Sequence, residues 1–121
     1  LIYLESEQVA ALGRALHRQA SFKWWLTDLA SPMLLQFISR SRGTMMENSP
    51  FRFAPAEAAA FFRELGWEES VYRSTIEEAR RLHRPMPRDW IMRVLGRFMP
   101  AERREAFRRM SGTALFRRID P

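Results

Sequence analysis

The sequence predicts an α/β fold, with short apolar strands alternating with amphipathic helices. Three observations carry this reading. Phe22 to Pro32 (FKWWLTDLASP) is a short, nearly continuous apolar run rich in aromatics, which suits a strand covered on both faces. Val9, Leu12 and Leu16 ahead of it recur at helical spacing, and Leu1 to Leu4 ahead of those are again strand-like. Strand, helix, strand at this spacing is a βαβ unit with a parallel pair and a right-handed crossover.

The remaining elements follow in order. Glu5 to Gln19 is the first helix, with acidic residues at its start and His17 and Arg18 in its last turn, the ends that favour each sign. His17 reads as a surface residue of that turn. After the strand at Phe22, Pro32 suits a helix's first turn, and Met33, Leu34, Phe37 and Ile38 form its apolar stripe. Thr44 to Pro50 is a loop carrying Asn48, Met45 and Met46; the methionines either pack beneath the loop or line an apolar pocket. Phe51 to Phe53 is an extended link.

Pro55 opens the next helix, Phe61, Phe62 and Leu65 turn inward, and Gly66 with Trp67 beyond it reads as a C-terminal cap. Trp67 to Arg73 is a strand with weak alternation. Thr75 to Leu82 is a helix capped by Ser74 or Thr75. Asp89 to Phe98 and Ala101 to Met110 are a helical pair broken at Pro100, with Trp90, Ile91, Val94, Leu95 and Phe98 as the apolar positions of the first. Thr113 to Ile119 is the last strand.

Composition narrows the function classes. The chain has 121 residues, 46% of them apolar, enough for one domain with a modest core. It lacks cysteine, which rules out disulfides and thiolate metal sites. It carries no signal peptide and no apolar run of membrane-spanning length, and a cytoplasmic location is expected. The net charge is +6, and Lys23 is the single lysine among arginines. Those arginines alternate with Glu77, Glu78, Glu102 and Glu105 along helices, as solvated faces do, so nucleic acid is not the expected partner. The opening LIYL is already strand-like, so we expect a fragment of a longer domain.

No glycine-rich phosphate loop, metal-ligand spacing or nucleophile elbow occurs. Two distant histidines and no cysteine leave no acid/base or nucleophile constellation. The site candidates are polar groups near strand ends, where open α/β sheets bind ligands. Asp28 is the foremost, its alternative role being to satisfy the turn at Ala30-Ser31-Pro32. Tyr3 and the Thr44 to Phe53 loop lie near the strand ends as well.

Taken in order, LIYLESEQVAAL, WWLTDLASP, FRFAPAEAAAFFRELGW and TALFRRI resemble the second half of a class I S-adenosylmethionine-dependent methyltransferase, of the leucine carboxyl methyltransferase-like subgroup. The resemblance covers nearly the whole chain. It implies the carboxyl-terminal half of a Rossmann-like sheet, about four strands with flanking helices. Leu1 to Leu4 and Phe22 to Leu29 become the fourth and fifth strands. Glu68 to Arg73 and Thr113 to Ile119 become the last two, the final strand antiparallel and inserted between its neighbours. Residues 1–121 form a single domain, with 85–112 a helical insertion.

By the same resemblance Tyr3 is the catalytic candidate, beside the methyl donor, its alternative being a half-buried core tyrosine. Asp28, Asn48, Phe51 and Phe53 face the substrate entrance. The cofactor, S-adenosyl-L-methionine, makes its main contacts in three earlier strands that this chain lacks. The reaction implied is methyl transfer to a carboxylate or hydroxyl oxygen of a small molecule or of a protein carboxylate, with the chain inactive alone. Methyl transfer needs positioned reactants more than covalent help, so the missing triad does not oppose it. The alternative is a stand-alone interaction or oligomerisation domain. Either reading leaves a sheet edge at Leu1 to Leu4 through which a homodimer would form.

Overall fold

The structure is a computed structural model that describes residues 1–36, 52–84 and 87–120. Helix α1 (Ser6–Arg18) leads to strand β1 (Trp24–Ala30), and residues 32–36 are helical. Helix α2 (Ala58–Glu64) precedes strand β2 (Trp67–Ser74). Helices α3 (Thr75–Arg81), α4 (Asp89–Gly96) and α5 (Ala101–Arg108) follow, and strand β3 (Ser111–Arg118) comes last. The strands form one sheet in the order β1-β3-β2, and β3 pairs antiparallel with both neighbours. β1 and β2 therefore run in the same direction on either side of the final strand.

The protein is thus a mixed α/β chain with a three-stranded antiparallel ladder among the described residues. The expected four-strand count is corrected at the start of the chain. Leu1 to Leu4 forms turns, closed by a Leu4 N–H donating to the Leu1 carbonyl at 2.9 Å. The Ile2 carbonyl accepts from the Arg52 and Phe53 amides instead of from a neighbouring strand. No parallel pair therefore forms there. Asn48, Phe51, Met45 and Met46 lie outside the described residues.

Helix α1 starts as its sequence dictates: the Glu5 N–H donates to Gln8 Oε1 at 2.8 Å, one arm of a capping box. Val9 from α1, Phe62 and Leu65 around α2, and Leu29, Trp67, Ala114 and Phe116 from the strands form one buried cluster on one face of the sheet. Phe62 is its hub. Its ring lies 4.3 Å from that of Phe116, 5.2 Å from Trp25 and 6.0 Å from Phe53, centroid to centroid. Edge-to-face pairs such as Trp25–Phe62 add about 0.5–1.5 kcal/mol to what burial alone gives.

β1 is covered on that face only. Trp24 and Leu26 on the other face are 54% and 68% exposed, which corrects the expectation of a strand buried on both sides. Helix α4 also departs from its apolar pattern. Trp90, Val94, Leu95 and Phe98 face outward, while Asp89 is buried. The helix is tied down by charge: Asp89 accepts from Arg80 of α3 at 2.9 and 3.0 Å and pairs with Arg93 at 3.0 Å. Among the described residues no helix is long and apolar enough to cross a membrane.

The weak alternation of β2 has a structural cause. The register slips between Glu69 and Val71, so Ser70 is an extra residue opposite β3. Before the bulge Trp67 and Glu69 share a face; after it Tyr72 and Ser74 do. The period-2 signal changes phase midway, and a strand that is regular on each side of the bulge looks irregular when read through.

The α2–β2 turn is fixed by Gly66, at φ 90°, where an added Cβ would also run into the His17 ring. His17 is no free surface residue: Nε2 lies 2.9 Å from the Ile119 carbonyl, and the ring stands edge-on to Trp67. Gly66→Ala is expected to destabilise the fold by about 2 kcal/mol or more, read as a lowered urea midpoint. An unchanged midpoint would mean that neither the left-handed turn nor the histidine contact matters.

Candidate functional site

The carboxyl ends of β1 and β2 meet the beginning of β3: Ala30 pairs with Ser111 and Ser74 with Gly112. Strand ends of one polarity on both sides of the central strand gather polar groups there. Asp28 is two residues short of the end of β1 with an exposed carboxylate, and its Oδ1 lies 3.5 Å from the Leu1 nitrogen. That contact sets the Leu1–Leu4 turn beside the last part of β1. Tyr3, on this turn, is exposed. Tyr3 and Asp28 thus share the carboxyl-end margin of β1.

Phe53 does not join them. It is 1% exposed, with the Phe61 ring 5.1 Å away and Phe62 on another side. Its position is corrected from entrance to core, because the Ile2 carbonyl holds its amide and draws the link inward. Arg52 beside it faces out and pairs with Glu5 at 2.8 Å.

On the β2 side lies a cluster that pattern reading missed. The Tyr72 ring is flanked by Arg109, 4.3 Å from guanidinium carbon to centroid, and by Arg108 at 5.5 Å. Arg109 is fixed by a two-pronged pair with Glu69, on the other side of the bulge. The phenol oxygen is buried without a hydrogen-bond partner, and it fills the space over Gly112 that a Cβ would need. Burial pushes the Tyr72 phenol above its ordinary value, and the two guanidiniums oppose that shift. At neutral pH it is a protonated donor without an acceptor.

Two more buried hydroxyls next to the start of β3 lack partners, Ser31 and Ser74. The Ser31 amide donates to the Met110 carbonyl at 3.0 Å, which sets its side chain where β1 ends. Ser74 occupies the cap position of α3, yet its hydroxyl makes no capping bond. Buried polar groups without partners are rare and are commonly satisfied by water, ion or ligand. Chemically, the margin can donate hydrogen bonds from three neutral hydroxyls close to a guanidinium pair.

The only available signal for these residues was composition near the strand ends. The bulge hid which side of β2 is internal, and no spacing rule links Glu69 to Arg109. Among the described residues the glycines do not build a nucleoside cradle either: Gly66 and Gly112 face His17 and Tyr72, Gly13 faces Leu65, and Gly96 stands apart from them at the end of α4.

Tyr72→Phe should leave stability unchanged or raise it, by less than about 2 kcal/mol, since it deletes a buried donor that has no partner. Subtracting its 295 nm titration from that of the parent gives the Tyr72 curve, with a midpoint expected above pH 10. Because the folded value is raised, Tyr72 favours the fold below the ordinary phenol range, and that contribution is lost as pH rises through the folded value. A midpoint below 10 would overturn the buried placement. No family model matches the chain, and no significant match emerges among curated proteins or among solved structures.

Proposed function

We propose that the chain is the substrate-side part of an S-adenosylmethionine-dependent methyltransferase, leucine carboxyl methyltransferase-like, which methylates a carboxylate or hydroxyl oxygen and is inactive by itself. The observation that supports this reading is the strand order. The resemblance requires a last strand that is antiparallel and inserted between two strands of common direction, and β3 lies between β1 and β2 in that way. This order is not the simplest for three strands met in sequence, since consecutive strands pair or neighbour about two-thirds of the time.

The described residues do not fit the methyl donor, because Gly13, Gly66 and Gly112 face neighbouring side chains and Gly96 stands apart from them, which leaves no backbone cradle. We therefore derive no step through the cofactor. In this reading its contacts come from the earlier half of the parent domain, and this chain supplies the acceptor side. The role left for its own residues is orientation. Tyr3 would hydrogen-bond the acceptor from the exposed turn beside β1, with Asp28 on the same margin, and Asn48 and Phe51 would stand at the entrance. Phe53, in the core, takes no part.

The test reads the coding DNA upstream of Leu1 and assays the full product with methyl-labelled S-adenosylmethionine. A glycine-rich strand–turn–helix unit and label transfer to an oxygen acceptor are expected. Label released as methanol by mild base marks an ester and a carboxylate acceptor; base-stable label marks an ether. Tyr3→Phe should lower kcat by about 10–100-fold if the hydroxyl orients the acceptor. An upstream sequence without such a unit, together with no transfer, would sink the proposal.

One observation favours the second reading, an interaction or oligomerisation module. Trp90 and Val94 on α4, Phe98 just beyond it, and the outer sheet residues Trp24, Leu26 and Val71 are large, apolar and exposed. On that reading sedimentation equilibrium gives a mass that rises with concentration, and Phe98→Asp together with Leu26→Lys abolishes the rise. A concentration-independent monomer counts against the module and the homodimer alike.

A further inference from the structure

A cleft of about 460 Å³ opens between α3, α4 and α5, at the carboxyl end of β2. Its walls carry five arginines, Arg80, Arg93, Arg97, Arg104 and Arg108, against two carboxylates, Glu77 and Glu105. Three of the arginines are already engaged. Arg80 and Arg93 share Asp89, and Arg108 pairs with Glu77 at 2.9 Å and Glu105 at 3.2 Å. Among the described residues Arg97 and Arg104 have no carboxylate partner. Both facing glutamates are thus held by Arg108, and the cleft keeps an excess of two free guanidiniums, one just past the end of α4 and one from α5.

Apart from Ser74 the rest of the lining is apolar, with Ile76, Met92, Met99 and Phe107 its large side chains. The methionines give a wall that adapts to an irregular shape. Ser74 borders the cleft, fully buried, and its hydroxyl has no hydrogen-bond partner. A pocket of a few hundred Å³, mostly apolar with a few convergent polar groups, is the ordinary form of a small-molecule site. Guanidiniums are the usual donors to carboxylate and phosphate oxygens.

We propose that this cleft binds a small organic anion, its carboxylate or phosphate head on Arg97 and Arg104 and its apolar body against Met92, Met99 and Phe107. The Ser74 hydroxyl gives the bound molecule a further polar contact at the base of the cleft. The site does not depend on the methyl-transfer reading, since it uses neither Tyr3 nor Asp28.

Calorimetric titration of the 121-residue chain with hexanoate, hexyl phosphate, hexanol and hexylammonium tests it. Saturable binding of at least one of the two anions is expected, and whichever binds more tightly identifies the head group. The neutral and cationic analogues should bind at least tenfold more weakly. Arg97→Gln with Arg104→Gln should weaken the anion at least tenfold, and Ser74→Ala severalfold. Ser74→Ala removes only a partnerless buried hydroxyl, so it is expected to fold. Gly96→Leu blocks the cleft from a position where an added Cβ meets nothing within 4 Å, and a better helix former than glycine at that point is tolerated by α4. Loss of binding in that variant, with the circular dichroism of the parent, supports the site. Equal binding of hexanol, full binding by Gly96→Leu, or no binding of either anion overturns it.

Discussion

The packing of Phe62 against Phe116, Trp25 and Phe53 is the contact on which the rest of the chain depends. It joins α2, β3, β1 and the segment at Phe53 in one place. Trp67 extends it: the indole is fully buried, its ring is edge-on to Trp25, and its N–H donates to the Gly13 carbonyl at 3.0 Å. That bond fixes α1 against the start of β2, so a helix early in the chain is positioned by a residue beyond its middle. A net gain of about 1 kcal/mol for such a bond is modest. Its larger effect is directional, because the indole has only one donor and α1 must present that carbonyl.

On one face the sheet is an aromatic core; at one end it is an arrangement of charge. Helices α3, α4 and α5 contribute little to the central cluster, and their placement rests on Asp89 with its two arginines, Arg108 with its two glutamates, and Arg109 with Glu69. The Arg80 hydrogen bonds hold the Asp89 carboxyl below its usual range. This division explains why α4 is free to turn its apolar stripe outward. Partly exposed ion pairs are weak compared with apolar burial. The helical region is therefore the softer part of the molecule and the part best able to adapt to a ligand.

Much of this was legible in the sequence because local rules and tertiary packing agree. The positions of β1, β2 and β3, the cap at Gly66 and the break at Pro100 follow from residues read in order, whereas the central place of the last strand comes only with the family resemblance. The misreadings have identifiable causes. LIYL has strand composition, yet its Leu4 amide is taken up by a turn and its Ile2 carbonyl accepts from the Arg52 and Phe53 amides, which no local rule foresees. The apolar positions around α4 were legible, but periodicity tells that a stripe exists and not which way it faces. Phe53 was placed at the entrance by the family resemblance, whereas its ring completes the Phe62 cluster. The unpartnered hydroxyls of Ser31, Tyr72 and Ser74 leave no mark in a hydrophobic pattern.

The central position of β3 has a consequence for how the molecule is made. Among the described residues β1 and β2 do not touch as strands, and each finds its ladder hydrogen bonds on β3, near the end of the described chain. During synthesis both wait with open edges until residues 111–118 emerge. The sheet then closes in one step from contacts distant in sequence, which is the slow kind of folding and the one most exposed to aggregation. A premature stop before Ser111 would not trim a margin. It would remove the strand that joins the other two in the described sheet.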